Sequence, residues 1–390
     1  MLKTGHHNHL EGSDIEKCGY PVCLRIGQIA YKTECHMDIL QTILEAVWVN
    51  GLQLSHKKCL RFLVVAMLAT LSVNLVRLAR AAFPDVKTQS GVRRIERLLA
   101  LKAFSVTLVG KAIFRALPSL KRYILTMDRT TWELGSRVYN VLAVGICFDG
   151  ISIPIYFTTC DKRGTTNFAE QIAFMEHVLD IIPEERIECL VADREFGYTN
   201  FIRWLGTRHI PYCLRVRENC HVRNAATGKG RKLKVLLASL AVGQSVVLSD
   251  AYIVSGNTRV RIYAVRRRMR DGDSLLILAT PVGSSFTDRM YRLRWQIETA
   301  FRAMKSAGFN MEETHLPLNG RFQNMLVIVL IAYACAFIDG VVKSSSTAIP
   351  VMRNSGRRRF SLFTWGLDFV IADILGKIRN CESDLWNRVT

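Results

Sequence analysis

The run RYILTMDRTTWELGSRVYNVLAVGICFDGISIPIYFTT, residues 122–159, decides the fold. Three stretches within it, RYILTMDRT, VYNVLAVGICF and ISIPIYFTT, are dense in β-branched and aromatic residues, which is strand composition. Asp149-Gly150 stands between the second and third, and an Asp-Gly pair between two such runs is a strong hairpin signal. Downstream the period changes. NFAEQIAFMEHVLDII (167–182) repeats apolar residues at helical spacing, ECLVAD (188–193) reads as a strand, TNFIRWLGTRH (199–209) as a helix and PYCLRVR (211–217) as a strand. The order β-β-β-α-β-α-β predicts an α/β fold with a mixed sheet covered by helices.

Upstream, residues 37–120 read as helices. Apolar residues recur at helical spacing through DILQTILEAVWV and CLRFLVVAMLATLSVNLVRLARAAF, which Pro84 stops. SGVRRIERLLALKAF follows and sets Arg93, Arg94 and Arg97 close together. That basic face is either a solvated helix surface or a contact for nucleic acid. Downstream, residues 218–280 are strand-like, punctuated by Gly and basic, with KGRKLK and RRRMR. The segment TDRMYRLRWQIETAFRAMKSAG (287–308) predicts one amphipathic helix. The expected organisation is a disordered extension at 1–36, a helical domain at 37–120, a core in two parts at 121–217 and 281–345, the β-rich insertion at 218–280 between them, and a helical tail at 346–390.

Charge sharpens this division. The 390 residues carry a formal net charge of +20 with 49% hydrophobic residues, which excludes a mainly disordered chain and points to a polyanion as partner. The excess is uneven: +8 over 37–120, +7 over 218–280 and +4 over 321–390, while 121–217 is neutral. Eleven scattered Cys without a CxxC pair fit free thiols in a reducing compartment. Cys18 and Cys23 with the nearby His residues lack a second pair at zinc spacing. The apolar runs 62–76 and 325–338 fall short of the roughly 20 residues a bilayer span needs. Both are expected to be buried core helices of a cytoplasmic protein that engages no membrane.

Three carboxylates stand out. Asp128 is expected at the end of the first strand and Asp193 at the end of ECLVAD, on the edge where α/β sheets build sites. Either acid alone reads as a cap or turn former; two in one alternating sheet favour a site. The third is Glu298. At about 100° per residue, Tyr291, Arg294, Glu298 and Lys305 share a stripe about 60° wide on one helix, beside an apolar stripe of Leu293, Ile297, Ala300 and Met304. Periodicity alone leaves an ordinary salt-bridged surface helix open. Three converging carboxylates suit two Mg²⁺ or Mn²⁺ ions, which at roughly 4 Å separation clamp the two oxygens of an in-line phosphodiester displacement. Arg294 and Lys305 would hold phosphates beside them.

With Asp128, Asp193 and Glu298 in this order and Tyr-x2-Arg-x3-Glu-x6-Lys at Tyr291, Arg294, Glu298 and Lys305, the chain resembles a bacterial DDE transposase of the insertion-sequence-four family over about residues 37–345. The resemblance implies an RNase H-like catalytic core with a β-rich insertion and a helical N-terminal DNA-binding domain. It implies two-metal cleavage at terminal inverted repeats and joining of the ends to target DNA, with a homodimer in the DNA complex. It also implies that Tyr291, Arg294 and Lys305 grip DNA phosphates near the transferred end. Relatives can use a Trp of the insertion to hold a flipped base; here none lies between Trp204 and Trp295, where an aromatic such as Tyr252 or Tyr263 could substitute. Two other functions stay open: a catalytically silent DNA-binding relic, and an RNase H-like nuclease without strand transfer.

Overall fold

The computed structural model describes residues 36–48, 52–102, 104–134, 137–160, 166–254, 258–269, 272–306, 308–314, 316 and 319–389. Apart from His36, the 1–36 extension and its Cys and His residues lie outside the described residues. Five helices come first: α1 (His36–Trp48), α2 (Leu54–Thr70), α3 (Leu75–Ala82), α4 (Thr88–Leu99) and α5 (Val106–Ala116). The apolar run 62–76 breaks at 71–74 and turns by 111°, where Asn74 accepts from the amides of Val76 and Arg77 to cap α3.

The quoted stretch forms a three-stranded meander: β1 (Tyr123–Leu134), β2 (Arg137–Phe148) and β3 (Ile151–Cys160). Asp149 and Gly150 adopt φ of 48° and 92°, the left-handed pair that matches strand twist in a two-residue hairpin, and Phe148 pairs with Ile151. Next come α6 (Phe168–Leu179), β4 (Ile187–Ala192), α7 (Thr199–Thr207) and β5 (Tyr212–Arg215). A capping box between Asn167 and Glu170 starts α6. β4 lies parallel to both β1 and β5. The α/β architecture and these seven elements follow the expected order.

The basic segment supplies β6 (His221–Asn224), β7 (Gly230–Lys232), the short α8 (Leu233–Leu236), β8 (Ser245–Val254), β9 (Thr258–Met269) and β10 (Gly272–Thr280). These strands extend the same sheet. β10 pairs antiparallel with β5, and ten strands run in the order β3-β2-β1-β4-β5-β10-β9-β8-β6-β7.

The single helix expected over 287–308 is two: α9 (Asp288–Arg292) and α10 (Trp295–Lys305). Between them, the amides of Leu293, Arg294, Gln296 and Ile297 bond back three residues rather than four, a tightened turn that rotates more per residue than an α-helix. Ile297, Ala300, Phe301, Ala303 and Met304 are buried, and α10 packs on β1, β2 and β3. The apolar run 325–338 lies within α11 (Asn319–Ser346), twice its length. This helix is long and apolar enough to cross a membrane, but its most apolar 18-residue stretch is wholly buried inside the molecule. The α1, α2, α4, α5 and β3 elements surround it, and α12 (Leu362–Val389) lies along it. Gly340 and Gly366 face each other there, where a Cβ on Gly366 would stand 1.9 Å from the Ala336 carbonyl oxygen.

Candidate active site

β4 ends before β1 does. The last parallel pair is Met127 with Ala192, so Asp128 and Asp193 are the next residues on two neighbouring strands, one continuing and one stopping. Asp128 is therefore in the middle of a twelve-residue strand rather than at its end. β1 is extended because residues 128–134 keep pairing with β2. The gap that β4 leaves is the floor of a cleft of about 450 Å³, whose lining includes Asp128, Asp193, Arg294, Glu298, Arg302 and Lys305. The cleft thus gathers acids from a strand, a strand end and a helix.

Burial pushes the Asp128 carboxyl up to about 6, and the Arg294 guanidinium and the Arg129 amide pull it back only in part while Glu298 and Asp193 raise it further. A carboxylate with 15% of its side chain exposed is costly to ionise. Burial acts upward on Asp193 too. There the Arg194 amide, the Tyr291 hydroxyl and the Arg294 and Arg215 charges prevail, and its carboxyl sits below the ordinary range. Glu298 falls in the first turn of α10, where the helix dipole favours negative charge.

Arg294 bridges two of the acids. One nitrogen donates to Asp128 Oδ2 at 2.5 Å and the other meets Glu298 Oε1 at 2.6 Å. Burial opposes its charge, and the flanking Asp128, Tyr291 and Glu298 more than restore it. The Tyr291 hydroxyl donates to Asp193 Oδ1 at 2.8 Å; burial and that carboxylate drive its own pKa well up. Lys305 sits at the lip, its ammonium donating to the Thr131 carbonyl at 2.7 Å and lying 5.3 Å from the centre of the buried Trp132 ring. Arg294, Glu298 and Lys305 of the spaced signature thus line the cleft and Tyr291 joins it through Asp193, even though α9 and α10 are separate helices.

Other residues lie elsewhere. Arg93, Arg94 and Arg97 are exposed on α4, which packs on α2, α3 and α11, and they do not line the cleft. Tyr263 is only 8% exposed and its hydroxyl donates to Asp288, so its ring has no open face for a base; the Tyr252 side chain lies outside the described residues. Arg215 and Arg129 were not anticipated. Arg215 ends β5, the third parallel strand, and reaches Asp193 at 3.5 Å. The strand-end rule that singled out Asp193 also marks this arginine. Arg129 lines the cleft and pairs with Glu195 at 3.1 Å, which keeps that fourth acid neutralised.

The acids offer only hard oxygen donors, the chemistry that suits Mg²⁺ or Mn²⁺. Among the described residues no three His, Cys, Asp or Glu side chains are gathered closely enough to hold a metal ion. Between Asp128 and Glu298 the positive group is the Arg294 guanidinium. Three acids whose mutual repulsion needs a cation are compatible with metal, with Arg294 providing the compensation in this arrangement.

The transposase DDE domain family matches residues 119–335, a little over half of the chain, and the match includes the three acids and the whole spaced signature. No curated protein sequence matches the chain. Among solved structures, an endonuclease V from Bacillus subtilis is similar at 13% identity, over 60% of this chain and 87% of that one, with a TM-score of 0.24. A superposition that loose fixes neither fold nor function.

Proposed function

The chain belongs to the transposase DDE domain family, and from that premise we propose that it cuts phosphodiester bonds at the terminal inverted repeats of its own element and joins the freed ends to target DNA. Membership itself implies a nucleic-acid-cutting transposase with DNA as partner. The observation that carries the finer reading is the single cleft that Asp128, Asp193 and Glu298 line together with Arg294 and Lys305.

In this reading the core is RNase H-like, and Asp128, Asp193 and Glu298 would hold two Mg²⁺ or Mn²⁺ ions. When bound, such ions polarise the scissile phosphate and favour hydroxide over water as nucleophile. Water oxygen attacks phosphorus, the P–O3′ bond breaks and a 3′-hydroxyl leaves. That hydroxyl then attacks a target phosphodiester, releasing a target 3′-hydroxyl, so each step exchanges one P–O bond for another. Arg294 forks onto phosphate oxygens, Lys305 adds a point charge at the lip, and Tyr291 orients Asp193. Arg93, Arg94 and Arg97 on α4 contact the inverted repeat, and the basic strands β6–β10 track the backbone. A homodimer would bring two ends together, in the cytoplasm at the nucleoid, with residues 37–120, 218–280 and 346–390 as the modules around the core.

Incubating the protein with precut element ends, supercoiled target plasmid and Mg²⁺ tests this. Joined products support a transposase. Nicking without joining would favour a nuclease, and binding without cleavage in Mn²⁺ a silent relic; either would refute the proposal.

A further inference from the structure

Outside the cleft, one half-buried carboxylate gathers more partners than a surface ion pair needs. Asp288, the first residue of α9, has 14% of its side chain exposed. Its Oδ1 accepts from the Tyr263 hydroxyl at 3.1 Å, and its Oδ2 meets a guanidinium nitrogen of Arg267 and one of Arg292, the latter at 3.0 Å. Tyr263 and Arg267 are four residues apart on β9, hence on one face of the strand. Arg261, two residues before Tyr263, donates from the same strand to the Phe286 carbonyl at 2.7 Å. β9 therefore grips the start of α9 at two points through three side chains. Three residues beyond Asp288, on the same short helix, is Tyr291, whose hydroxyl reaches Asp193.

The geometry points to Asp288 as a positioning residue: the carboxylate through which strand β9 of the basic segment locks α9, so that Tyr291 stays on Asp193. The assignment rests on reading Asp193 as an acid of the cutting centre. A helix of five residues makes few hydrogen bonds of its own and depends on its neighbours for its place. A half-buried carboxylate met by two guanidinium groups and a phenol is an anchor, because removing its charge takes away the one acceptor that ties these three donors together.

Two measurements test it. Amide hydrogen exchange on the DNA-free protein reads the clasp without any activity. Asp288→Asn should lose protection both in 287–293 and in the turn at 193–197, whereas Tyr291→Phe should lose it only at the turn. Loss confined to α9 in Asp288→Asn would overturn the coupling. Kinetics then reads the consequence on element-end DNA in Mg²⁺. Asp288→Asn should slow nicking about tenfold or more at saturating DNA, as expected for losing one hydrogen bond to a charged group. In a Tyr291→Phe background it should cost less than about twofold further, since the two act in series. Costs that multiply would overturn the proposal. Tyr263→Phe, which removes a single bond, repeats the cycle if Asp288→Asn does not fold. Should the wild-type protein fail to nick, the functional reading falls, and the exchange result still decides the clasp.

Discussion

Replacing Asp128 with Asn separates what the acid does for catalysis from what it does to the fold. The carboxyl moves from 3.8 to about 6 on folding, chiefly through burial, which corresponds to ~3 kcal/mol. The native chain holds this proton more tightly than the unfolded chain. Stability from this group is therefore fully present below pH ~4 and is lost as pH rises through ~6. Asn keeps the shape and removes the charge, and Arg294 keeps Glu298 as partner. Urea unfolding across this range should find Asp128→Asn equal to wild type near pH ~4 and more stable by ~3 kcal/mol near pH ~8. A variant less stable than wild type at the higher pH, by an amount that does not change with pH, would refute the reasoning. It would mean that the Arg294 ion pair outweighs the burial of the carboxylate.

Three further outcomes follow from other contacts. Arg294→Gln removes the cation bridging Asp128 and Glu298, so the DNA-free protein should bind Mn²⁺ several-fold more tightly by electron paramagnetic resonance; unchanged affinity would show that the guanidinium does not compete for the acids. Lys305→Ala should weaken end binding and reduce the salt slope by about one, and an unchanged slope would remove its phosphate role. Gly366→Ala places a Cβ 1.9 Å from the Ala336 carbonyl oxygen, against a backbone that cannot yield, and should cost more than ~3 kcal/mol by thermal unfolding; a melting temperature within a degree of wild type would contradict that packing.

The hairpin at Asp149-Gly150, the alternating strands and the acid that ends ECLVAD were legible because each is local: turn chemistry, period and the strand end all lie within a few residues. The mid-strand position of Asp128 was not legible, since β1 runs on only by pairing with β2 beyond the point where β4 stops. Likewise, the tightened turn at Leu293–Arg294 hides in a sequence whose apolar residues keep helical spacing on both sides. The full extent of α11 was missed because polar residues at each end, Asn324 and Asp339, are buried with it. Asn324 donates to the carbonyls of Leu99 and Leu101, partners far away in sequence. The joining of β10 to β5 is a long-range pairing of the same kind. Arg215 and Asp288 owe their roles to partners that only folding brings near.

The proposed cutting centre requires all three acids together. The direct measurement is Mg²⁺-dependent nicking of inverted-repeat DNA by wild type, Asp128→Asn, Asp193→Asn and Glu298→Gln, with binding to the same DNA recorded for each. Each variant should still bind the DNA while its nicking falls by at least a hundredfold, the scale on which removing a catalytic charge acts. Nicking retained by any one of the three bound variants would contradict the assignment.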